Sequence, residues 1–89
     1  MTHAELVPAA IVHGKRLARR AAAFALDDEI SIDDAADRLF KLAAGDESIL
    51  TCALDHVRSL ASIPRNEGYA PANNRAMRAL TIALERTTS

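Results

Sequence analysis

The sequence has one cysteine, three aromatic residues and no tryptophan. A single cysteine cannot form an internal disulfide bond, so this composition is typical of a reducing compartment and predicts a cytoplasmic protein. With so few aromatic side chains, the core must consist mainly of aliphatic residues. The three aromatics are also too scattered along the chain to form the stacking platforms that RNA-binding domains use.

The sequence also lacks long apolar runs and an excess of charge of one sign. No segment approaches the roughly 20 apolar residues of a membrane span, and residues 1–12 lack the pattern of a signal peptide. The 11 basic and 12 acidic residues leave a net charge of −1. No overall field therefore attracts nucleic acid or anionic lipid, and any such binding must come from a local patch.

The chain length and the alanine content limit the size of the core. At 89 residues the chain has the length of one domain. Its 19 alanines allow helices to approach closely, but each contact buries little area. Dimerisation would supplement such a core, so a homodimer is one expectation. Nine of the 11 basic residues are arginine and glutamine is absent, a composition that favours a bacterial or phage origin.

The apolar residues recur with the period of an α-helix, and no segment alternates with the period of a strand. The sequence therefore predicts an all-α fold, a small bundle of four amphipathic helices in one domain, residues 1–89. Ser31 and Asp46 are the expected N-caps of the second and third helices, and Gly45 is the expected left-handed residue after the second. The predicted helices span about 8–26, 32–44, 47–62 and 72–86, with a Pro- and Gly-containing loop at 63–71 and a frayed end at 87–89.

One face of each predicted helix is apolar and is expected to be buried. In the first helix this face contains a line of small residues, which favours either close packing within the chain or a seam between two copies. That helix could also begin before Pro8, with Thr2 as its cap. The expected core residues are Ile11, Leu17, Phe24, Ile32, Ala35, Ala36, Leu39, Leu42, Ala43, Ile49, Leu50, Ala53, Leu54, Val57, Leu60, Ala61, Ala76, Met77, Leu80, Ala83 and Leu84.

A basic cluster on the first helix is the strongest candidate for a functional surface. Its residues fill an arc of about 140° opposite the small residues and have no acidic residue at matching spacing in their own helix. They form either a solvated outer face or a docking strip for phosphate or an acidic protein surface, because guanidinium groups bind oxyanions bidentately. The cluster consists of Lys15, Arg16, Arg19 and Arg20.

The fourth helix provides a second candidate surface. Arg75 and Arg78 lie on its predicted outer side, next to Ile82. Protein interfaces favour arginine around an apolar centre, so these three residues are further candidates for partner binding.

An acidic run follows the basic cluster and is explained largely by helix stability. Asp33, Asp34 and Asp37 occupy the first two turns of the second helix, where they interact favourably with the helix dipole. Asp34 and Asp37 are also spaced to pair with Arg38 and Lys41. The run has no glycine and includes two isoleucines, unlike a calcium-binding EF-hand loop.

Other binding and catalytic motifs are weak. The second and third helices have the lengths of a helix-turn-helix, but Asp46 and Glu47 would then face DNA phosphates. Cys52 and His56 are four residues apart, and two ligands do not make a zinc site. The sequence contains no phosphate loop, nucleophile elbow or dinucleotide fingerprint. We therefore expect no enzyme activity, cofactor or bound metal.

These observations predict a small, non-enzymatic interaction or regulatory module that binds a protein partner through its arginine-bearing helix faces. The alternative is a nucleic-acid-binding regulatory domain that uses the basic face of the first helix.

Overall fold

The computed structural model describes the backbone of residues 3–88 and the side chains of residues 9–88. Within this range the chain forms four α-helices and one 3₁₀ segment, and no residue is in a β-strand. The predicted all-α fold with four helices is therefore confirmed. The helices are α1 (His3–Leu26), α2 (Ile32–Leu42), α3 (Glu47–Ala61) and α4 (Ala70–Thr87), and the 3₁₀ segment is Pro64–Tyr69. No helix in residues 3–88 is both long and apolar enough to cross a membrane.

The N-caps of α2 and α3 are the residues that the sequence predicts. The Ser31 hydroxyl accepts a hydrogen bond from the Asp34 backbone N–H at 3.1 Å. The Asp46 carboxylate accepts one from the Ser48 N–H at 2.9 Å. Each cap satisfies a backbone donor that has no partner within its helix. Thr2, the alternative cap of α1, and Ser89, in the end predicted to fray, lie outside the described residues, whereas Thr87 is the last residue of α4.

α2 ends at Leu42, two residues before the predicted end at 44, and the first left-handed residue comes one position earlier than predicted. Ala43 is the C-cap, and Ala44 rather than Gly45 is the first residue with a left-handed backbone, at φ 53°. Gly45 follows at φ 70°. The Gly45 N–H donates to the Phe40 carbonyl oxygen at 3.0 Å, and the Ala44 N–H donates to the Lys41 carbonyl oxygen at 3.0 Å. This pair of hydrogen bonds is a Schellman motif. It places an alanine in a conformation that its Cβ atom disfavours.

The predicted loop at 63–71 is mostly helical. Residues 64–69 form the 3₁₀ segment, and α4 begins at Ala70, with Pro71 in its first turn. Proline suits that position because the first backbone N–H groups of a helix have no partner within it. The Asn66 side chain donates to the Leu60 carbonyl oxygen at 2.9 Å and connects the 3₁₀ segment to α3.

The core lies where the four helices meet. The most extensive contacts are between α1 and α3, followed by α2 with α4 and α3 with α4. Leu39, Leu50 and Leu80 are the largest fully buried side chains, and most other buried residues are alanines. Ala79 is also buried, although the predicted face of α4 omits it.

The small residues of α1 pack within the chain. Gly14, Ala18, Ala21 and Ala25 are all buried. A Cβ atom built on Gly14 would lie only 2.5 Å from the Cβ atom of Cys52 on α3. Of the two interpretations of this line of small residues, close intramolecular packing is therefore the one observed.

Three residues that the sequence places in the core are exposed. Leu42 is 55% exposed because α2 ends there and Ala43 occupies the adjacent buried position. Ile11 is 44% exposed because α1 presents its line of small residues to α3, which leaves Ile11 at the edge of the contact. Leu60 is 40% exposed at the last turn of α3, where the chain turns into the 3₁₀ segment.

Candidate interaction surface on helix α1

The four basic residues of the α1 cluster are all exposed. Lys15, Arg16, Arg19 and Arg20 lie on the outer side of the helix, as the spacing predicts. None of the four is within salt-bridge distance of a carboxylate in the part of the chain that the structure describes. Their charges are therefore available to a group outside the chain.

Three of these residues border a groove that the sequence did not predict. Arg16, Arg19 and Arg20 lie on one side of this groove, which has a volume of about 590 Å³ and lies between α1, the end of α2 and the start of α3. Its other lining residues are mostly aliphatic. We call this surface the arginine groove; it is lined by His13, Arg16, Leu17, Arg19, Arg20, Leu42, Ala43, Ala44 and Ile49.

The end of α2 shapes this groove. The Schellman motif turns the chain sharply after Leu42, and the small side chains of Ala43 and Ala44 line the groove at this turn. Leu42 remains more than half exposed beside the arginines. The result is an open apolar floor with guanidinium groups along one side.

The three candidate residues of α4 have different environments in the structure. On α4, Arg75 donates to the Ile30 carbonyl oxygen at 3.5 Å and lies 3.8 Å from an Asp28 carboxylate oxygen. It therefore connects α4 to the turn between α1 and α2. Arg78 is exposed, but Ile82 is half-buried, so it offers less apolar surface than an outer position implies. None of these residues lines the arginine groove.

The acidic run makes several contacts within the chain. Asp37 binds Lys41 Nζ at 3.0 Å and Arg86 at 3.3 Å. The hydrogen bond and the charge of Lys41, together with the charge of Arg86, hold the pKa of the Asp37 carboxyl below its ordinary range. The expected Asp37–Lys41 pair is present. Arg38, the expected partner of Asp34, instead lies over the Phe24 ring at 5.8 Å.

The other polar pair singled out from the sequence is part of the helix packing. Cys52 and His56 are both half-buried on α3, and Cys52 lies at the closest approach of α1. No group of three metal-binding side chains occurs among the residues that the structure describes.

The aliphatic part of the arginine groove is what sequence reasoning missed. Leu42, Ala43 and Ile49 fit the apolar faces of their own helices, so periodicity assigns all three to the core. The only local signal is the position of Leu42 immediately before the helix end. His13 is four residues before Leu17, and nothing in its spacing indicates a groove.

No protein-family model matches the chain, and no curated protein or solved structure is significantly similar to it.

Proposed function

We propose that this chain is a small, non-enzymatic protein-interaction module that binds an acidic surface of a partner protein at the arginine groove. The observation that carries the proposal is the combination of an exposed aliphatic floor with three arginines that pair with no carboxylate among the described side chains, residues 9–88. We further propose that it acts as a regulatory protein in a bacterial or phage-infected cytoplasm, in keeping with its composition.

The chemistry of the groove fits an acidic protein surface. A guanidinium group can form two parallel hydrogen bonds with one carboxylate, so Arg16, Arg19 and Arg20 favour aspartate and glutamate side chains. Leu42 and the neighbouring alanines would accept an aliphatic side chain and exclude water from it. Arginine around an apolar centre is a common composition at the centre of protein interfaces.

An open groove favours a protein over a small molecule. Small-molecule sites bury about 70–90% of the ligand surface. Here Leu42 and Ala44 are themselves exposed, so a small ligand would keep a large part of its surface in water. A protein surface covers such a groove from above.

Nucleic acid is the alternative partner, because Lys15 and the three groove arginines form a local positive patch. The net charge of −1 and the aliphatic floor fit an acidic protein surface better than they fit nucleic acid. Aromatic side chains are the usual stacking platforms for bases, and the described lining of the groove has none. Gel retardation with random-sequence duplex DNA and single-stranded RNA tests this alternative. Binding that weakens steeply with salt would support it, and no retardation at low salt would exclude it.

Site-specific photo-crosslinking in native lysate tests the protein-binding proposal. A photoreactive residue replaces Ala44 in the groove or, as a control, Tyr69, which is exposed at the end of the 3₁₀ segment and does not line the groove. We expect one protein other than this chain itself to crosslink at position 44 and not at position 69. Mass spectrometry of the crosslink should identify an acidic segment in that protein.

Charge reversal provides the matched control. The variant R16E/R19E/R20E should lose the crosslinked protein, and R58E/R65E/R78E, which changes the net charge equally, should retain it. Unaltered crosslinking in the groove variant would refute the proposal. Loss of the crosslink in the control variant alone would refute the groove as the interface and would indicate the side of the chain that carries Arg78. Circular dichroism of both variants must show the helicity of the native chain.

A further inference from the structure

We propose that the arginine groove also binds a second copy of this chain, through the acidic turn that follows α1. In this arrangement two α1 helices pack antiparallel, and Leu26 with Asp27, Asp28 and Glu29 of each copy contacts the groove of the other. The inference rests on the proposed function in that the groove is the docking surface. The occupant is an element of the chain itself.

The acidic turn is as exposed as the groove. Leu26 ends an amphipathic helix, yet it is 67% exposed, the largest fraction for a large hydrophobic side chain among residues 9–88. The three acidic residues that follow it are also exposed. Asp28 lies near Arg75, yet its side chain is 99% exposed. The turn therefore presents an apolar side chain next to carboxylates.

This arrangement complements the groove. In the groove an exposed leucine, Leu42, lies beside three arginines; in the turn an exposed leucine lies beside three acids. Contact between the two would bury both leucines and bring each set of charges against its opposite. Self-complementary surfaces of this kind form closed two-fold dimers.

The spacing along α1 permits both contacts at once. Arg19, Ala23 and Leu26 follow a helical i, i+4, i+7 pattern and share the outer face. A two-fold axis at Ala23 places Arg20 of one copy level with Leu26 of the other, and Arg19 level with Asp27. Ala22 and Ala23 are exposed and small, so the two helices can approach closely at the axis.

The contact is expected to be weak and sensitive to salt. The outer face of α1 from Val12 to Leu26 is about 21 Å long at the usual helical rise. One helix face of this length, with the adjoining groove, lies at the low end of interface sizes. We therefore expect association in the micromolar range or weaker. Such a dimer would cover the arginines until an acidic partner displaces the second copy.

Sedimentation equilibrium with the purified chain at micromolar to high micromolar concentration tests this inference. We expect a reversible monomer–dimer equilibrium at about 0.05 M NaCl that shifts to monomer at about 0.5 M, where charges are strongly screened. A chain that stays monomeric throughout this concentration range at low salt would overturn the inference.

A charge swap identifies the contact. The groove variant R19E/R20E and the turn variant D27R/E29R should each be monomeric, because each homodimer would oppose like charges. Mixed in equal amounts they should form a heterodimer, because both contacts are then attractive. For each of these two variants alone, the dissociation constant of the homodimer should be about tenfold or more above that of the native chain. R58E/R65E carries the same charge change as the groove variant and should dimerise normally. A mixture that stays monomeric, or variants that dimerise like the native chain, would overturn the inference.

The variants also separate this inference from the proposed function. D27R/E29R leaves the groove intact, so it should still crosslink the outside partner while failing to dimerise. A monomeric native chain that crosslinks a partner at the groove would refute only the self-association. A dimer that the charge swap confirms, without a crosslinked partner, would refute only the protein-binding proposal.

Discussion

Replacement of Gly14 by alanine tests how closely α1 and α3 pack. The added Cβ atom would lie 2.5 Å from the Cys52 Cβ atom, 3.1 Å from the Ala53 backbone nitrogen and 3.2 Å from the Cys52 carbonyl carbon. Nonbonded carbon atoms prefer separations of about 3.5–4.0 Å. Two of the three neighbours are backbone atoms, so a side-chain rotation cannot relieve the overlap. The helices would have to move apart by about 1 Å, the difference between that preferred separation and the distance to the Cys52 Cβ atom.

The expected size of this effect is the difference between two opposing terms. Overpacking a close contact typically destabilises a protein by about 1–3 kcal/mol. Alanine has a higher helix propensity than glycine by up to about 1 kcal/mol, which offsets part of the loss. We expect a net loss of about 1–2 kcal/mol in the free energy of unfolding. That loss is large, since a chain of this length has a total stability of about 4–13 kcal/mol.

Urea denaturation followed by circular dichroism measures this difference. In a thermal melt the same loss corresponds to a decrease in Tm of about 4–8 °C per kcal/mol. Gly68→Ala is the matched control, because a Cβ atom at Gly68 meets nothing within 4 Å. We expect that control to change stability by no more than about 0.5 kcal/mol. A Gly14→Ala variant as stable as the native chain would refute the close approach of the two helices.

Two further predictions concern the end of α2 and its ion pair. Ala44→Gly should increase the free energy of unfolding by about 0.5–1 kcal/mol, because glycine removes the left-handed strain at φ 53°. Ala22→Gly, at an exposed site inside α1, should instead decrease it by about 1 kcal/mol, and urea denaturation of both variants checks the contrast. Asp37→Asn should be less stable than the native chain at neutral pH. Because the pKa of Asp37 is lowered in the folded state, its contribution is present above its ordinary pKa and is lost as the pH falls through the folded value. A difference in stability between the D37N variant and the native chain that persists unchanged at about pH 2 would contradict this ion-pair explanation.

Local sequence determined the helices and their caps. Ser31 and Asp46 cap α2 and α3 as predicted, because an N-cap depends on atoms only two or three residues away. Most of the buried face of α3 was also correctly predicted, since Leu50, Leu54 and Val57 follow a helical period, and Leu60 is the exposed exception. The predicted end of α2 was two residues too late. Both Ala44 and Gly45 adopt positive φ, and glycine alone indicates only the second of them.

Only the tertiary structure determined which charges are available to a partner. From the sequence, the arginines of both α1 and α4 were candidates for partner binding. In the fold, Arg75 contacts Asp28, and Arg86 contacts Asp37, although each pair is far apart in the sequence. Helix periodicity carries no information about such pairs, since they depend on how the helices pack.

The arginine groove was beyond prediction for the same reason. Its aliphatic floor comes from the end of α2 and the start of α3, and each of those residues fits the apolar face of its own helix. The sequence by itself determined that α1 has a basic outer face followed by an acidic turn. The packing of α1 against α2 and α3 decided that this face borders an apolar groove, because a groove exists only where surfaces from different helices meet.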